Sequence, residues 1–147
     1  MKIIRMHGCS LADEEFTLDP EIWGDEISWN ITRIQRDAIS GILGPPEMIS
    51  ISRLPPMGPQ HEANIDRKKV SQMLAAHASC ADGYLSPLNI PVLQIIFEHH
   101  GKLHRIPVDG NHRLYALMQL GLVTFDAYQV SAQTEHRYRI TMEQIDA

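Results

Sequence analysis

Cysteine is scarce. Two thiols, Cys9 and Cys80, stand far apart in a chain of 147 residues. Two such residues build neither a disulfide framework nor a zinc ribbon, and their simplest setting is a reducing cytoplasm with both thiols free. Long hydrophobic runs are missing as well. No stretch approaches the ~20 apolar residues of a membrane span, and the opening MKIIRMHGCSLADEE has too short an apolar run for a signal peptide. A cytoplasmic protein with no membrane partner is expected. Positive charge is not in excess: 13 basic against 18 acidic residues give a net charge of -5. A protein that grips duplex DNA by its phosphates carries a basic surface, so nucleic acid is not the default partner, although a local basic patch stays open. Repeats and low-complexity segments are absent. What is present is an ordinary globular balance, 44% hydrophobic and 21% charged, in a length that fits one domain with a core of its own.

The hydrophobic spacing gives a coarse order of elements. Residues 2–6 form a short strand, and 10–26 are acidic and irregular, with turn signals at Asp19-Pro20 and Trp23-Gly24. From Asn30 the pattern turns helical, with Ile31, Ile34, Ala38, Ile39 and Ile42 on one face. Asn30 or Ser28 caps its start, and Gly44-Pro45-Pro46 stops it. MISISRL (48–54) alternates like a half-buried strand, and 55–64 is a loop. Residues 65–79 form a helix whose apolar face holds Val70, Met73, Leu74, His77 and Ala78; 80–87 is a second loop. NIPVLQIIFE (89–98), the turn HHGK and LHRIPV (103–108) make a hairpin. A helix over 111–120, a strand over 123–130 and an edge strand or tail over 136–142 complete an α+β chain with a small mixed sheet and flanking helices.

One stretch concentrates polar chemistry: VDGNHRLYALMQLG, residues 108–121. Gly110 stands where a strand turns sharply into a helix. The first N–H groups of that helix lack intrahelical partners, and the dipole makes this end positive. Arg113 adds a planar, permanently charged fork suited to phosphate oxygens, and His112 a donor or proton carrier. Together they make an anion site, most naturally for phosphate. Asp109, at the strand end, can hold Mg²⁺ or polarise a nucleophile. The plainer reading of such residues is an N-cap followed by solvated charges.

The flanking order carries a resemblance. IPVDGNHRLYALMQLGLVTFDAYQV resembles the ParB/sulfiredoxin-like superfamily, whose members place a DG-x-HR-x-x-A segment between a β-hairpin and a helix. Upstream, MISISRLPP resembles that family's first strand, IDRKKVSQMLAAH its following helix, and YLSPLNIPVLQIIFEHHGKLHRIPVDG its proline-led hairpin. The likeness covers residues 48–130. It implies a ParB/sulfiredoxin-like domain over 48–147, with residues 1–47 as an N-terminal segment carrying one amphipathic helix packed on it. In this family the segment is a phosphate-binding loop: ParB proteins bind CTP there, free serine kinases use an adenine nucleotide, and sulfiredoxins use ATP to repair a cysteine. By resemblance Gly110, Asn111, His112 and Arg113 cradle phosphates, and Asp109 matches the acid implicated in catalysis in the DGxHR subgroup. Two departures narrow this. Sulfiredoxins carry a reactive cysteine where this chain has Asn111, which removes their chemistry. Against the ParB run GERRxRA, Gly110, Arg113 and Ala116 are in register, but Asn111, His112 and Tyr115 replace its acid, its first Arg and its last, which argues against a CTP clamp.

Residues outside the motif carry weaker signals. Glu62 lies near the place where the kinase branch carries a base for the substrate hydroxyl; its ordinary role is a solvated loop acid. Arg53 and Arg67 can reach phosphates or make surface ion pairs, and Tyr115 can stack on a base or pack on the hairpin. His99, His100 and His104 read as a surface turn and a strand face, since no H-x₃-H spacing or cysteine partner supports a metal. His77 reads as a packed, satisfied histidine, and Trp23 and Trp29 as anchors of the N-terminal segment. The expectation is therefore a nucleotide-binding protein using ATP or another NTP with Mg²⁺, acting as an NTPase or small-molecule kinase. Its catalytic residues are Asp109, His112 and Glu62, its phosphate cradle Gly110, Asn111, His112 and Arg113, and its metal ligand Asp109. A small molecule or another protein is the second partner. The rivals are a ParB-like nuclease or DNA-binding module, and a non-catalytic protein-binding adaptor of a mobile element.

Overall fold

In chain order the patterning resolves, in a computed structural model that describes residues 2–8, 12–53, 65–79 and 86–146, into strands and helices. These are β1 (Lys2–His7), β2 (Glu15–Thr17), α1 (Pro20–Trp23), β3 (Ser28–Asn30), α2 (Ile31–Ile39), β4 (Glu47–Ser50), α3 (Arg67–Ser79), β5 (Val92–His99), β6 (Lys102–Asp109), α4 (Asn111–Gln119), β7 (Thr124–Val130) and β8 (Thr141–Asp146). Three 3₁₀ turns lie at Ile51–Arg53, Pro87–Asn89 and Glu135–Tyr138. The class is α+β, as the patterning predicts. Among the described residues no helix is long and apolar enough to cross a membrane.

The central sheet has the order β4-β7-β5-β6. It is mixed: β5 runs parallel to β7, while β4 with β7 and β5 with β6 are antiparallel. Side chains alternate between the faces of a strand, and both faces here are covered. Leu93, Ile95, Phe97, Ile106, Val108 and Val130 meet Trp29, Ile31, Ile34 and Ala38 on one side. Val92, Phe125 and Ala127 meet Val70 of α3 and Leu114, Ala116 and Leu117 of α4 on the other. The N-terminal residues thus supply much of one core layer. Trp29 is fully buried, and its Nε1 donates to Glu135 Oε2 at 2.8 Å. Arg139 holds the same carboxylate through Nε at 3.0 Å and Nη2 at 2.8 Å, so the buried acid is paired.

Several elements differ from the expected ones for local reasons. The Asp19-Pro20 turn signal starts the one-turn helix α1: Asp19 accepts the Glu21 N–H at 3.0 Å, and Gly24, at φ 80°, closes it. Helix α2 does start at an Asn30 cap, whose side chain accepts the Arg33 N–H. It ends at Ile39, one turn earlier than the stripe suggests. Ile39 is therefore 88% and Ile42 68% exposed, not part of the core face. Strand β4 stops at Ser50 because the chain winds into a 3₁₀ turn at Ile51. The last strand begins at Thr141 rather than 136, and it pairs antiparallel with β1, Lys2 opposite Asp146 and His7 opposite Thr141. The loops expected over 55–64 and most of 80–87 lie outside the described residues, as do Glu62, Cys9 and Cys80.

Candidate functional site

The motif sits where β6 leaves the sheet. Leu93 pairs with Asp109 and Gln94 with Pro107, so β6 carries one extra residue there. A bulge of this kind re-aims the end of a strand. Asp109 is the last strand residue, and Gly110, at φ 88° and ψ 21°, turns the chain into α4. Those angles belong to the left-handed region that only glycine enters freely. A Cβ at Gly110 would also lie 2.7 Å from Arg113 Nη2, because the guanidinium folds back over the turn. One residue type satisfies both the turn and the overlying cation.

Each polar side chain of the motif then finds a definite place. Arg113 Nη2 donates to the Pro91 carbonyl at 3.1 Å, while its Nε is buried with no partner. Burial lowers the pKa of this guanidinium, and the Asp109 carboxylate pushes it back up. Asp109 Oδ1 accepts the Gly110 N–H at 2.9 Å, and Oδ2 accepts from Gln35 Nε2 at 2.9 Å. Asn111 is half-buried, with Oδ1 unpartnered. His112 Nε2 accepts the Asp66 N–H at 3.0 Å. A ring nitrogen that accepts carries no proton, so the imidazole proton sits on Nδ1. Asp66 in turn caps α3, its Oδ1 accepting the Lys68 and Lys69 N–H groups at 3.0 and 3.3 Å.

At the start of α4, Leu114 N–H returns to the Gly110 carbonyl at 2.9 Å, and no side chain caps the turn. Orphan N–H groups, the positive end of the dipole and a guanidinium make an arrangement that attracts an anion. The neighbouring Asp109 carboxylate repels one unless a cation or a proton stands between. The junction is therefore bipolar, with donors on the helix side and an acid on the strand side.

Asp109, Gly110, Asn111, His112 and Arg113 thus come together on one junction. Arg67 does not join them: its Nη1 reaches the Tyr115 hydroxyl and its guanidinium carbon lies 4.8 Å from that ring's centre. Tyr115 is half-buried against the α3–α4 core, so both side chains serve the packing of those helices. His77 is half-buried with Nδ1 2.7 Å from Ser86 Oγ, the satisfied histidine its helix face suggests. Three partners were not foreseen: Gln35, the Pro91 carbonyl and the Asp66 main chain. Gln35 alone left a signal, a polar residue between Ile31 and Ala38 on the apolar stripe of α2. No protein-family model matches the chain, and no curated protein matches it.

Proposed function

We propose that the chain is a ParB/sulfiredoxin-like protein that binds the phosphates of ATP or another nucleoside triphosphate at the β6–α4 junction, with Mg²⁺, and hydrolyses or transfers the terminal phosphoryl group. The observation that carries this reading is the left-handed Gly110 leading into an uncapped helix start beneath the Arg113 guanidinium. In this reading the first-turn N–H groups and Arg113 hold phosphate oxygens, and Asn111 adds a side-chain contact. Asp109, with one oxygen oriented by Gly110 N–H and the other by Gln35, holds the metal or orients the attacking oxygen. A bound Mg²⁺ supplies charge neutralisation at the phosphates. His112 keeps its α3 contact through Nε2 and offers the Nδ1 proton as a donor. Glu62 is the proposed base for an acceptor hydroxyl.

A second reading draws on the same bonds. His112 to Asp66, Arg113 to Pro91 and Gln35 to Asp109 also describe a latch that fixes α4 and α3 to the sheet, with no ligand. A thermal-shift panel of ATP, CTP and GTP, with and without Mg²⁺, separates the two. A nucleotide at 100 times its Kd stabilises by about 2.7 kcal/mol. Binding predicts such a rise for at least one nucleotide, and phosphate release that Asp109→Ala loses while keeping the shift. A latch predicts no shift with any nucleotide, and variants that only lower the melting temperature.

A further inference from the structure

At the far end of the β5–β6 hairpin, two adjacent histidines meet an acid from the N-terminal segment. His99 ends β5, His100 is the first residue of the turn, and Asp25 follows the helix α1. The Nε2 atoms of both histidines lie 3.7 Å from Asp25 Oδ2. One ligand atom from each of the three falls within 4.8 Å of the others. Consecutive strand residues point to opposite faces, yet these two ring centres are only 4.0 Å apart. His100 achieves this by adopting φ 51°, the only positive φ among the described non-glycine residues. With Gly101 at φ 76° it forms a two-residue turn of the kind that favours Asn-Gly. The chain places an imidazole where asparagine fits the backbone better.

From this juxtaposition we infer that Asp25, His99 and His100 form a binding site for a divalent transition ion of the zinc type. Two imidazoles and a carboxylate are the donor set of open zinc sites, which leave the fourth position to water. Ligand atoms in a tetrahedral zinc site stand roughly 3.3–3.4 Å apart, given bonds of about 2.0–2.1 Å. The two 3.7 Å separations close to that spacing by small rotations of Asp25 and His100, whose side chains are 59% and 75% exposed. His99 is the fixed member. Its side chain is 11% exposed and packs edge-on against Trp23, ring centres 5.8 Å apart. Its Nε2 donates to the Trp23 carbonyl at 2.8 Å. On binding, the neutral ring carries its proton to Nδ1 and Nε2 takes the ion. The ion takes the place of that proton, so the Trp23 carbonyl oxygen, 2.8 Å from Nε2, draws back to give it room. Because Asp25 follows α1, the ion would clamp the N-terminal segment to the hairpin tip.

The test uses the full, untagged chain stripped with chelator and titrated with Co²⁺, then Zn²⁺. One Co²⁺ per chain with the visible absorption of a four-coordinate ion, displaced by Zn²⁺, is expected. Losing even an outer partner of a ligand costs about tenfold to a hundredfold in metal affinity, so Asp25→Asn and His100→Asn should each weaken binding at least tenfold. Asparagine tolerates the left-handed turn, so metal-free His100→Asn should unfold at the wild-type temperature. His136→Asn, an exposed histidine elsewhere, should bind like wild type. Absence of binding by wild type below millimolar Co²⁺ and Zn²⁺ would overturn the assignment, as would variants at Asp25 and His100 that bind as wild type does.

Discussion

At φ +88° with a Cβ position 2.7 Å from Arg113 Nη2, Gly110 is constrained by both backbone and neighbour. Gly101, at φ +76°, has the same backbone demand with nothing within 4 Å. Left-handed strain costs about 1–3 kcal/mol for an ordinary residue, so Gly101→Ala should lose about that much in urea unfolding. Gly110→Ala should lose more, because the guanidinium must also leave the turn. Equal losses would mean that the overlying cation contributes nothing. A second residue-scale effect is pH-dependent. The Tyr138 hydroxyl donates to Asp37 Oδ2. Burial, then that hydrogen bond, push its pKa from the ordinary 10.0 up to about 12. The folded state therefore holds this proton more tightly than the unfolded one. Its contribution is complete below pH 10.0 and lost as pH rises towards about 12. Chemical unfolding across that window should show the decline, and Tyr138→Phe should flatten it. The residue types of the site were readable in DGNHR itself, because a strand end, a glycine and a helix start are local. Their partners were not: Gln35, Asp66 and Pro91 stand 74, 46 and 22 residues away from the atoms they hold.

For helix α2, the start was legible and the end was not. Asn30 offers its own side chain as a cap, a local signal, whereas the stop is set by where the packing surface ends. Ile34 is fully buried in the core beside Phe97 and Trp29, while Ile39 lies out in solvent. Ile34→Ala should cost about 2–5 kcal/mol, the usual range for a buried large-to-small change. Ile39→Ala should stay within about 0.5 kcal/mol, as surface substitutions do. Denaturant midpoints of the two variants check this, and a large loss at Ile39 would restore the longer helix. The α3–α4 pair makes a similar point. Its helices were visible as periodic stripes, but the bond from Asp66 N–H to His112 that joins their starts needs the tertiary fold.

Taken whole, the molecule covers both faces of one mixed sheet, and its N-terminal segment belongs to one of those layers. The β-type runs of β5, β6 and β7, with a turn between the first two, made these strands legible. The β1–β8 pairing was hidden, because nothing local in two short strands says that they meet. The net charge of -5 acts at this scale too. Duplex DNA binding draws on phosphate neutralisation, so random-sequence duplex at ~150 mM salt should bind no tighter than micromolar. Filter or anisotropy titrations showing sub-micromolar affinity with a steep salt slope would favour the nuclease reading instead. The central claim, a phosphate cradle at Asp109–Arg113, is tested most directly by calorimetric titration of wild type and Arg113→Ala with ATP, CTP and GTP in Mg²⁺. A charge-assisted contact is worth about 1.5–3 kcal/mol, so one nucleotide should bind wild type at one per chain, and folded Arg113→Ala should bind it tenfold to a hundredfold more weakly. Equal binding by both proteins, or heat from none of the nucleotides with wild type, would contradict it.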